Sequence, residues 1–270
     1  MFFSLIYSNI AVSLTLISSP GDFRWVAVKG DMSKKQEVSL KDLLEAGVHF
    51  GHQAARWNPK MASYLYAVKD GVHVFDLVKT KKSLDEAAAF VRDWTATGKT
   101  ILFVGTKRQA QAVIRQQAQK AGLPFVCQRW LGGTLTNWEQ IQKSIKQLIE
   151  MKGAREKGEY KKYTKKERLL LDREIARLEK LFGGLASLEK PPEALFVVDV
   201  QKERIAVREA IRKGLELVAM VDSNSDPDGI SYPIPANDDA VGSISLIVAA
   251  IATAAKEGIE KYGENKPAKN

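Results

Sequence analysis

The sequence has little of the chemistry that enzymes use most often. Its 270 residues include one cysteine, Cys127, and only three histidines. A single cysteine excludes a disulfide within the chain and favours a reducing compartment. Cys127 follows Pro-Phe-Val, an apolar setting that is typical of a buried structural thiol. The phosphate-binding patterns GxxxxGK(S/T) and GxGxxG are also missing, which argues against a nucleotide-dependent enzyme.

Positive charge is what the chain has in excess. Its 41 Lys and Arg outnumber 32 Asp and Glu, which gives a formal net charge of +9 and an isoelectric point near 9.4. Hydrophobic residues make up 45% of the chain, as in ordinary globular proteins. A basic balance of this size favours an anionic partner, usually nucleic acid and sometimes a membrane surface. Composition alone leaves a basic soluble enzyme open as the alternative.

Residues 1–21 are uncharged and largely apolar, so a signal peptide or a membrane anchor has to be considered. A secretory signal needs a basic start and a small-x-small cleavage pattern, and neither is present. Met32 is followed by Ser-Lys-Lys-Gln and then by a regular amphipathic pattern. We therefore expect Met32 to be the natural start, residues 1–31 to be a non-native N-terminal extension, and the protein to have no membrane partner. N-terminal sequencing of the native protein tests this, and a chain that begins at Met1 or Phe2 would contradict it.

Buried strands alternate with helices over most of the chain. Apolar runs and one extended edge predict strands at residues 100–104, 125–127, 194–199, 217–221 and 232–235. The helical patterns between them predict right-handed βαβ units, a parallel sheet and helices on both of its faces. We expect residues 37–137 and 185–263 to form one α/β domain, and residues 264–270 to be a disordered tail. Residues 64–68 and 71–75 predict a β-hairpin around a Lys-Asp-Gly turn.

Residues 138–184 interrupt this alternation with two helical patterns. Apolar residues recur on both at the spacing of a coiled-coil seam: Ile141, Ile145, Leu148, Ile175, Leu178 and Phe182. Thr164 to Glu167 is a capping box that begins the second helix. We predict an inserted antiparallel coiled-coil helical hairpin that protrudes from the sheet domain. Residues 152–180 hold 11 Lys and Arg against 6 Asp and Glu, more than half of the net charge, although a charged helix surface is often only solvated.

Residues 104–108, Val-Gly-Thr-Lys-Arg, connect a predicted strand to a predicted helix. Thr106 to Gln109 has the form of a capping pattern, and Ser83 to Glu86 has it at the start of the preceding helix. A glycine, a hydroxyl and two cations at a helix N-terminus can bind an anion. An RNA phosphate and a nucleotide phosphate both fit this pattern, and the missing phosphate-loop motifs count against the nucleotide.

Two groups of residues have side chains that bind metal ions in other proteins. His49 and His52 have the spacing HxxH, but no glutamate follows as in a zinc protease helix, and the glycine between them indicates a loop. Asp199, Asp222 and Asp226 follow predicted strands, where carboxylates at one sheet edge can bind a hard cation. The proline and glycine around Asp226 are more typical of Asx-turns. We therefore expect no bound metal and no cofactor.

Seven stretches occur in the order in which one protein family has them. They read Leu-Leu-Glu-Ala-Gly-Val-His-Phe-Gly-His from Leu43, Arg-Trp-Asn-Pro-Lys-Met from Arg56, Gly-Val-His from Gly71, Phe-Val-Gly-Thr-Lys from Phe103, Arg-Trp-Leu-Gly-Gly-Thr-Leu-Thr-Asn from Arg129, Pro-Glu-Ala from Pro192 and Asp-Ser-Asn from Asp222. On these motifs, residues 37–263 resemble the bacterial form of the small-subunit ribosomal protein number two family. That family has no N-terminal extension like residues 1–31.

The resemblance implies a flavodoxin-like α/β domain with a protruding coiled-coil hairpin. It also implies a place on the small ribosomal subunit, bound to small-subunit rRNA and next to other small-subunit ribosomal proteins. It further implies a surface that anchors the large ribosomal protein number one, and no catalytic activity.

Charge and resemblance together predict a structural, rRNA-binding ribosomal protein of the cytoplasm. We expect Lys and Arg to bind phosphates, and Trp or Arg planes to stack on exposed bases. The predicted RNA contacts are Arg56, Lys60, Lys107, Arg108, Arg129, Lys161, Lys162, Lys165, Lys166 and Arg168. Gly132 and Gly133 are expected to let the backbone pack closely and approach RNA. The alternative is a nucleotide-dependent doubly wound enzyme, which would need a phosphate loop and a general acid or base in a cleft.

Overall fold

Strands form where the sequence has short apolar runs, or where apolar and polar residues alternate on either side of a turn. The computed structural model describes residues 13–16, 25–28 and 38–265. In chain order its strands are β1 (Ser13–Leu16), β2 (Trp25–Val28), β3 (Phe50–Gln53), β4 (Leu65–Lys69), β5 (Val72–Phe75), β6 (Ile101–Val104), β7 (Phe125–Val126), β8 (Ala194–Val198), β9 (Glu216–Val221) and β10 (Tyr232–Pro235).

Helices connect most of these strands. They are α1 (Leu40–Glu45), α2 (Leu77–Ala96), α3 (Arg108–Ala121), α4 (Trp138–Glu156), α5 (Lys165–Phe182), α6 (Arg204–Lys213) and α7 (Val241–Asn265). Short 3-10 helices lie at Ala54–Arg56, Pro59–Tyr64, Glu159–Lys162 and Gly183–Leu185. From Val38 onward the chain forms one compact unit.

The main sheet has five parallel strands in the order β7-β6-β8-β9-β10 within the described residues. The chain pairs β7 with β6 on one side and then returns to pair β8 with β6 on the other. This is the strand order of flavodoxin-like folds, so the predicted α/β class is confirmed. The reversal leaves a crevice at the carboxyl ends of β6 and β8, where ligands bind in other doubly wound folds.

Alternate side chains of the strands enter two separate cores, one on each face of the sheet. Ile101 and Phe103 of β6 join the core beneath α2, α3 and α7. Leu102 and Val104 join the opposite core, which includes residues of α4, α5 and α6. All four are fully buried, because a parallel strand covered on both sides has no solvent face. Helices therefore lie on both faces, as predicted.

Helices α4 and α5 form the pair expected between β7 and β8. The capping box of α5 is confirmed, since Thr164 accepts a hydrogen bond from the backbone N–H of Glu167 and the Glu167 carboxylate accepts one from the N–H of Thr164. Arg155 pairs with Asp172 and Lys152 with Glu179, so the helices run in opposite directions. The six predicted seam residues are buried in the same core as sheet residues. The base of the pair is thus a layer of the fold, and a protruding coiled coil stays a prediction.

A second, antiparallel sheet of order β3-β5-β4 precedes the main sheet in the chain. Its hairpin is confirmed, with β4 and β5 joined by Asp70 (φ 51°) and Gly71 (φ 76°). Positive φ at both central residues is what a type I′ turn needs, and Asp and Gly tolerate it best.

One predicted helix start and one predicted helix cap are wrong. Helix α2 begins at Leu77 instead of near Ser83, because the Asp76 carboxylate accepts hydrogen bonds from the N–H groups of Val78 and Lys79. Helix α3 begins at Arg108 without a side-chain cap. The backbone N–H of Thr106 instead donates to the Glu203 carboxylate at 2.7 Å. A distant acceptor has replaced the local cap.

The structure describes each end of the chain only in part. Strands β1 and β2 pair antiparallel, and the rest of the predicted extension at residues 1–31 lies outside the described residues. Helix α7 runs past its predicted end at Tyr262, and residues 266–270 of the predicted tail lie outside the described residues. Residues 241–264 are long and apolar enough to cross a membrane, but half of the most apolar stretch is buried inside the fold. That burial is typical of a core helix.

Candidate nucleic-acid interface

One solvent face of α3 carries positive charge and no carboxylate. The helix contains two arginines, one lysine and five glutamines between residues 108 and 121, with no Asp or Glu. Its buried residues, Ala110, Val113, Ile114 and Ala118, fix the orientation of the helix on the sheet. The opposite side lines a groove of about 510 Å³, formed by Arg108, Gln111, Ala112, Arg115, Gln116, Gln119, Lys120 and Gln128.

A second groove continues this surface toward α5. It has a volume of about 490 Å³ and is lined by Gln128, Arg129, Arg173, Ala176, Arg177, Lys180 and Leu181. Gln128 belongs to both grooves, so they are adjacent. Arg177 is engaged by Glu174 at 2.6 Å. We call the remaining six cations of the two grooves the basic face: Arg108, Arg115, Lys120, Arg129, Arg173 and Lys180.

The basic face is free of internal neutralisation. All six of its side chains are exposed. None of them forms an ion pair with a carboxylate of residues 38–264, and Arg115 donates only a weak hydrogen bond to the Cys127 sulfur at 3.7 Å. Their charges are therefore available to a polyanion in solvent.

A third group of cations lies where α4 and α5 are joined. We call Lys161, Lys162, Lys165, Lys166 and Arg168 the tip cluster. All five are exposed, and Lys162 approaches the Tyr163 ring with its ammonium 5.6 Å from the centroid. In the described part of the chain no carboxylate pairs with any of them. The five remain candidate RNA contacts.

The glycine-rich loop after Arg129 is bound by a carboxylate of its own chain. One oxygen of Glu209 accepts hydrogen bonds from the N–H of Gly133 at 2.7 Å and the indole N–H of Trp130 at 3.4 Å. The other accepts from the N–H groups of Leu135 and Thr136 and from the Thr136 hydroxyl. Burial alone would raise the pKa of Glu209, but the backbone donors outweigh it and the pKa is lowered.

Glu209 therefore occupies the place that a phosphate would take in this loop. The expected approach of RNA to the backbone has to be revised for Gly133, because its N–H points to a buried carboxylate, and it stays a prediction for the exposed Gly132. Gly133 is needed for its conformation, with φ +94°, whereas a Cβ on Gly132 would meet open space.

Lys107 is also engaged inside the protein. Its ammonium lies 2.6 Å from Asp238, 2.6 Å from Asp239 and 3.3 Å from Asp199, and its side chain is 12% exposed. Burial lowers the pKa of Lys107, but the hydrogen bonds to Asp238 and Asp239 outweigh it and raise the pKa. Lys107 is held by three carboxylates in the crevice at the carboxyl ends of β6 and β8. A cation paired in this way is a poor phosphate ligand, so we remove Lys107 from the expected RNA contacts.

Lys60 is half exposed and forms ion pairs with two carboxylates of an acidic turn. Its ammonium contacts Asp226 at 2.8 Å and Asp228 at 2.5 Å, while the side chain is 48% exposed. The Asx-turn interpretation of this run is confirmed, since the N–H of Asp228 donates to the Asp226 carboxylate. Arg56 ends a 3-10 helix, exposed and outside the two grooves.

The two histidines of the HxxH pattern have different surroundings. The Nδ1–H of His52 donates a hydrogen bond to the carboxylate of the buried Asp222 at 2.9 Å, and this bond raises the pKa of His52. Burial lowers the pKa of His49. Ligand atoms of His52, Asp222 and Asp238 lie within 4.8 Å of one another in the described chain, and this group does not include His49, Asp199 or Asp226.

Comparison with known proteins matches this chain over most of its length. A model of the family described as ribosomal protein S2 matches residues 43–258. The chain belongs to the ribosomal protein S2 family. A protein of Coprothermobacter proteolyticus named small ribosomal subunit protein uS2 is 52% identical over 223 residues, 83% of each chain. A protein of the same name from Roseiflexus sp. (strain RS-1) is 52% identical over 221 residues, 82% of this chain and 84% of its own.

Membership in the ribosomal protein S2 family confirms two predictions. The family resemblance drawn from the sequence motifs is correct, and the chain is a structural ribosomal protein and not an enzyme. The doubly wound sheet serves as a scaffold here, since a fold does not determine a function.

For this ribosomal protein S2 chain, sequence reasoning missed most of the basic face. Arg108 and Arg129 are among the expected contacts, but Arg115, Lys120, Arg173 and Lys180 are not. The signal was present in α3, whose fourteen residues include no carboxylate. The contribution of α5 carried no such signal, because Glu174 and Glu179 lie among its cations in sequence and pair with Arg177 and Lys152 in space.

Proposed function

We propose that this protein is a structural constituent of the small ribosomal subunit in the cytoplasm and binds small-subunit rRNA through the basic face. The observation that carries the proposal is the run of unneutralised cations from α3 through Arg129 to α5. Phosphate contacts by such cations release counterions from the RNA and give strong, salt-dependent affinity. The tip cluster supplies a second region of contact by the same mechanism.

In this proposal, different parts of the fold carry different regions of RNA contact. The α/β domain at residues 37–137 and 185–263 presents α3 and Arg129, and residues 138–184 present the tip cluster as an arm. Neighbouring small-subunit proteins and rRNA then contact different parts of one chain.

A salt series with intact small-subunit rRNA tests the proposal. Replacing Arg108 and Lys120 by glutamine removes two charges of the basic face and should weaken binding about tenfold at low salt. The matched control replaces Lys82 and Lys256, which are exposed on α2 and α7 and pair only within their own helices. Equal affinities of the two double variants at every salt concentration would exclude the basic face as the rRNA interface.

We further propose that the protein helps to anchor ribosomal protein number one. The support is the motif resemblance, together with exposed apolar side chains two residues apart on β4, where Tyr66 and Val68 are 79% and 54% exposed. Contiguous apolar side chains on a surface are typical of protein contacts. Replacing Tyr66 and Val68 by serine should lower the amount of protein number one that sediments with small subunits, while the amount of this protein stays constant. Unchanged occupancy of protein number one would exclude this sheet as its anchoring surface.

A further inference from the structure

The groove along α3 is lined by glutamines and cations and by no aromatic side chain. Of its eight lining residues, four are glutamine, three are Arg or Lys and one is alanine. Trp130, two residues after Gln128 in the chain, is buried at 7% exposure and donates its indole N–H to Glu209. Unpaired bases of single-stranded RNA stack on aromatic side chains or on Arg planes, and among the residues that line this groove only Arg108 and Arg115 could supply such a plane. A groove without an aromatic side chain is therefore a poor match for single-stranded RNA.

We propose that the α3 groove binds the minor groove of double-helical RNA. The inference rests on the proposed rRNA-binding function and names the class of RNA that this surface recognises. An A-form helix displays 2′-hydroxyls in a wide, shallow minor groove between two phosphate backbones. A glutamine amide both donates and accepts hydrogen bonds, which matches a hydroxyl that does the same.

The arrangement along the helix matches such a target. Arg108 and Lys120 lie at opposite ends of α3, about 18 Å apart along its axis. Cations at this spacing can bind phosphates on both sides of the groove, while Gln116 and Gln119 lie between them. Neither side-chain amide forms a hydrogen bond within the described chain, so both are available. Gln111 is partly engaged, since it donates to the Thr106 carbonyl.

A small residue at the centre of the face permits close contact. Ala112 is exposed and lines the groove between Arg108 and Arg115. A long side chain there would hold an RNA helix away from the glutamines. Ala112 thus allows the close approach to RNA that was expected at Gly132 and Gly133.

Fluorescence anisotropy with three probes tests the inference on the full-length protein. The probes are an RNA duplex of about 16 base pairs, the DNA duplex of the same sequence, and one RNA strand alone. At one salt concentration we expect the RNA duplex to bind most tightly. The Gln116→Ala/Gln119→Ala variant should lose about fivefold in affinity for the RNA duplex and nothing for the DNA duplex, since two neutral hydrogen bonds to 2′-hydroxyls are removed.

The control variant is Gln140→Ala/Gln147→Ala, which removes two exposed glutamines of α4 outside the groove. It should bind all three probes like the unmodified protein. A preference for the single strand, or an unchanged ratio of RNA-duplex to DNA-duplex affinity in the α3 variant, would overturn the inference. Intact small-subunit rRNA is measured in parallel with the unmodified protein. Tight rRNA binding together with a single-strand preference would refute only the inference, whereas absence of rRNA binding would refute the proposed function itself.

Discussion

Lys107 and Arg108 are consecutive residues of equal charge in opposite surroundings. Lys107 lies in the crevice at the carboxyl ends of β6 and β8, in contact with Asp199, Asp238 and Asp239. Arg108 begins α3 and lies exposed at one end of a groove without carboxylates. The first cation neutralises charge inside the protein, and the second is available to a partner.

The crevice and the basic face differ in the sign of their charge as well as in their exposure to solvent. Buried carboxylates outnumber cations in the crevice, and burial together with the charges of Asp222 and Asp199 raises the pKa of Asp238 to about 7. Burial also raises the pKa of Glu203, which accepts from the Thr106 N–H. Because part of the negative charge is held inside, the outer surface is more positive than the net charge of +9 implies. Substitutions in the two regions should therefore affect different measurements.

The largest effect should come from removing the crevice cation. Lys107→Met leaves Asp199 and Asp238 without their partner and should lower the free energy of unfolding by about 3 kcal/mol. Urea unfolding measures this, and rRNA affinity of the folded fraction should change little. Arg108→Met is the matched control on the neighbouring residue, and it should weaken rRNA binding with no loss of stability. If Lys107→Met instead weakened rRNA binding and kept full stability, the division between crevice and basic face would be wrong.

A smaller and pH-dependent effect is expected at Glu209. Its folded pKa is lowered, so the carboxylate contributes stability at pH values above its unfolded pKa and loses that contribution as the pH falls through the folded pKa. Glu209→Gln should lower the free energy of unfolding at pH 7 by about 2 kcal/mol, because charged acceptor bonds to the loop N–H groups are replaced by an amide. Urea unfolding between pH 7 and pH 3 measures the difference.

The gap between Glu209→Gln and the unmodified protein should close as the solution becomes acidic. Glu216→Gln, at the start of β9, is the control for loss of one carboxylate, since no group of the described chain donates a hydrogen bond to the Glu216 side chain. A constant gap for Glu209→Gln from pH 7 to pH 3 would mean that the loop is held by packing and not by the ionised carboxylate.

The sequence alone predicts the structural features that depend on residues close together in the chain. Continuous apolar runs predict β6, β8 and β9, and the capping box at Thr164 forms as predicted. The tip cluster is predictable because its cations are close together in sequence. Long-range partners could not be predicted, since Asp238 lies 131 residues from Lys107 and Glu209 lies 76 residues from Gly133. The same separation explains why the sequence alone predicts an RNA-facing surface for a glycine-rich loop that Glu209 binds.

The smallest effect should come from the tip cluster. Replacing Lys161, Lys162, Lys165 and Lys166 by glutamine should leave stability unchanged, because all four are exposed and unpaired within the described chain. Affinity for small-subunit rRNA should fall by about fivefold to tenfold at low salt. Removal of each phosphate-binding cation should also reduce the magnitude of the slope of log affinity against log salt by about 0.7–0.9.

The salt dependence distinguishes contact from solvation at the tip. Since the variant has the smaller slope, its affinity should approach that of the unmodified protein as salt rises. A control that replaces Lys41, Lys82, Lys213 and Lys256 by glutamine has the same change in net charge at exposed positions on α1, α2, α6 and α7. This control should lower rRNA affinity only through the loss of long-range attraction. The slope of log affinity against log salt should stay close to that of the unmodified protein. If the tip variant and this control gave the same slope, the tip lysines would be a solvated surface, and the rRNA interface would be confined to the basic face.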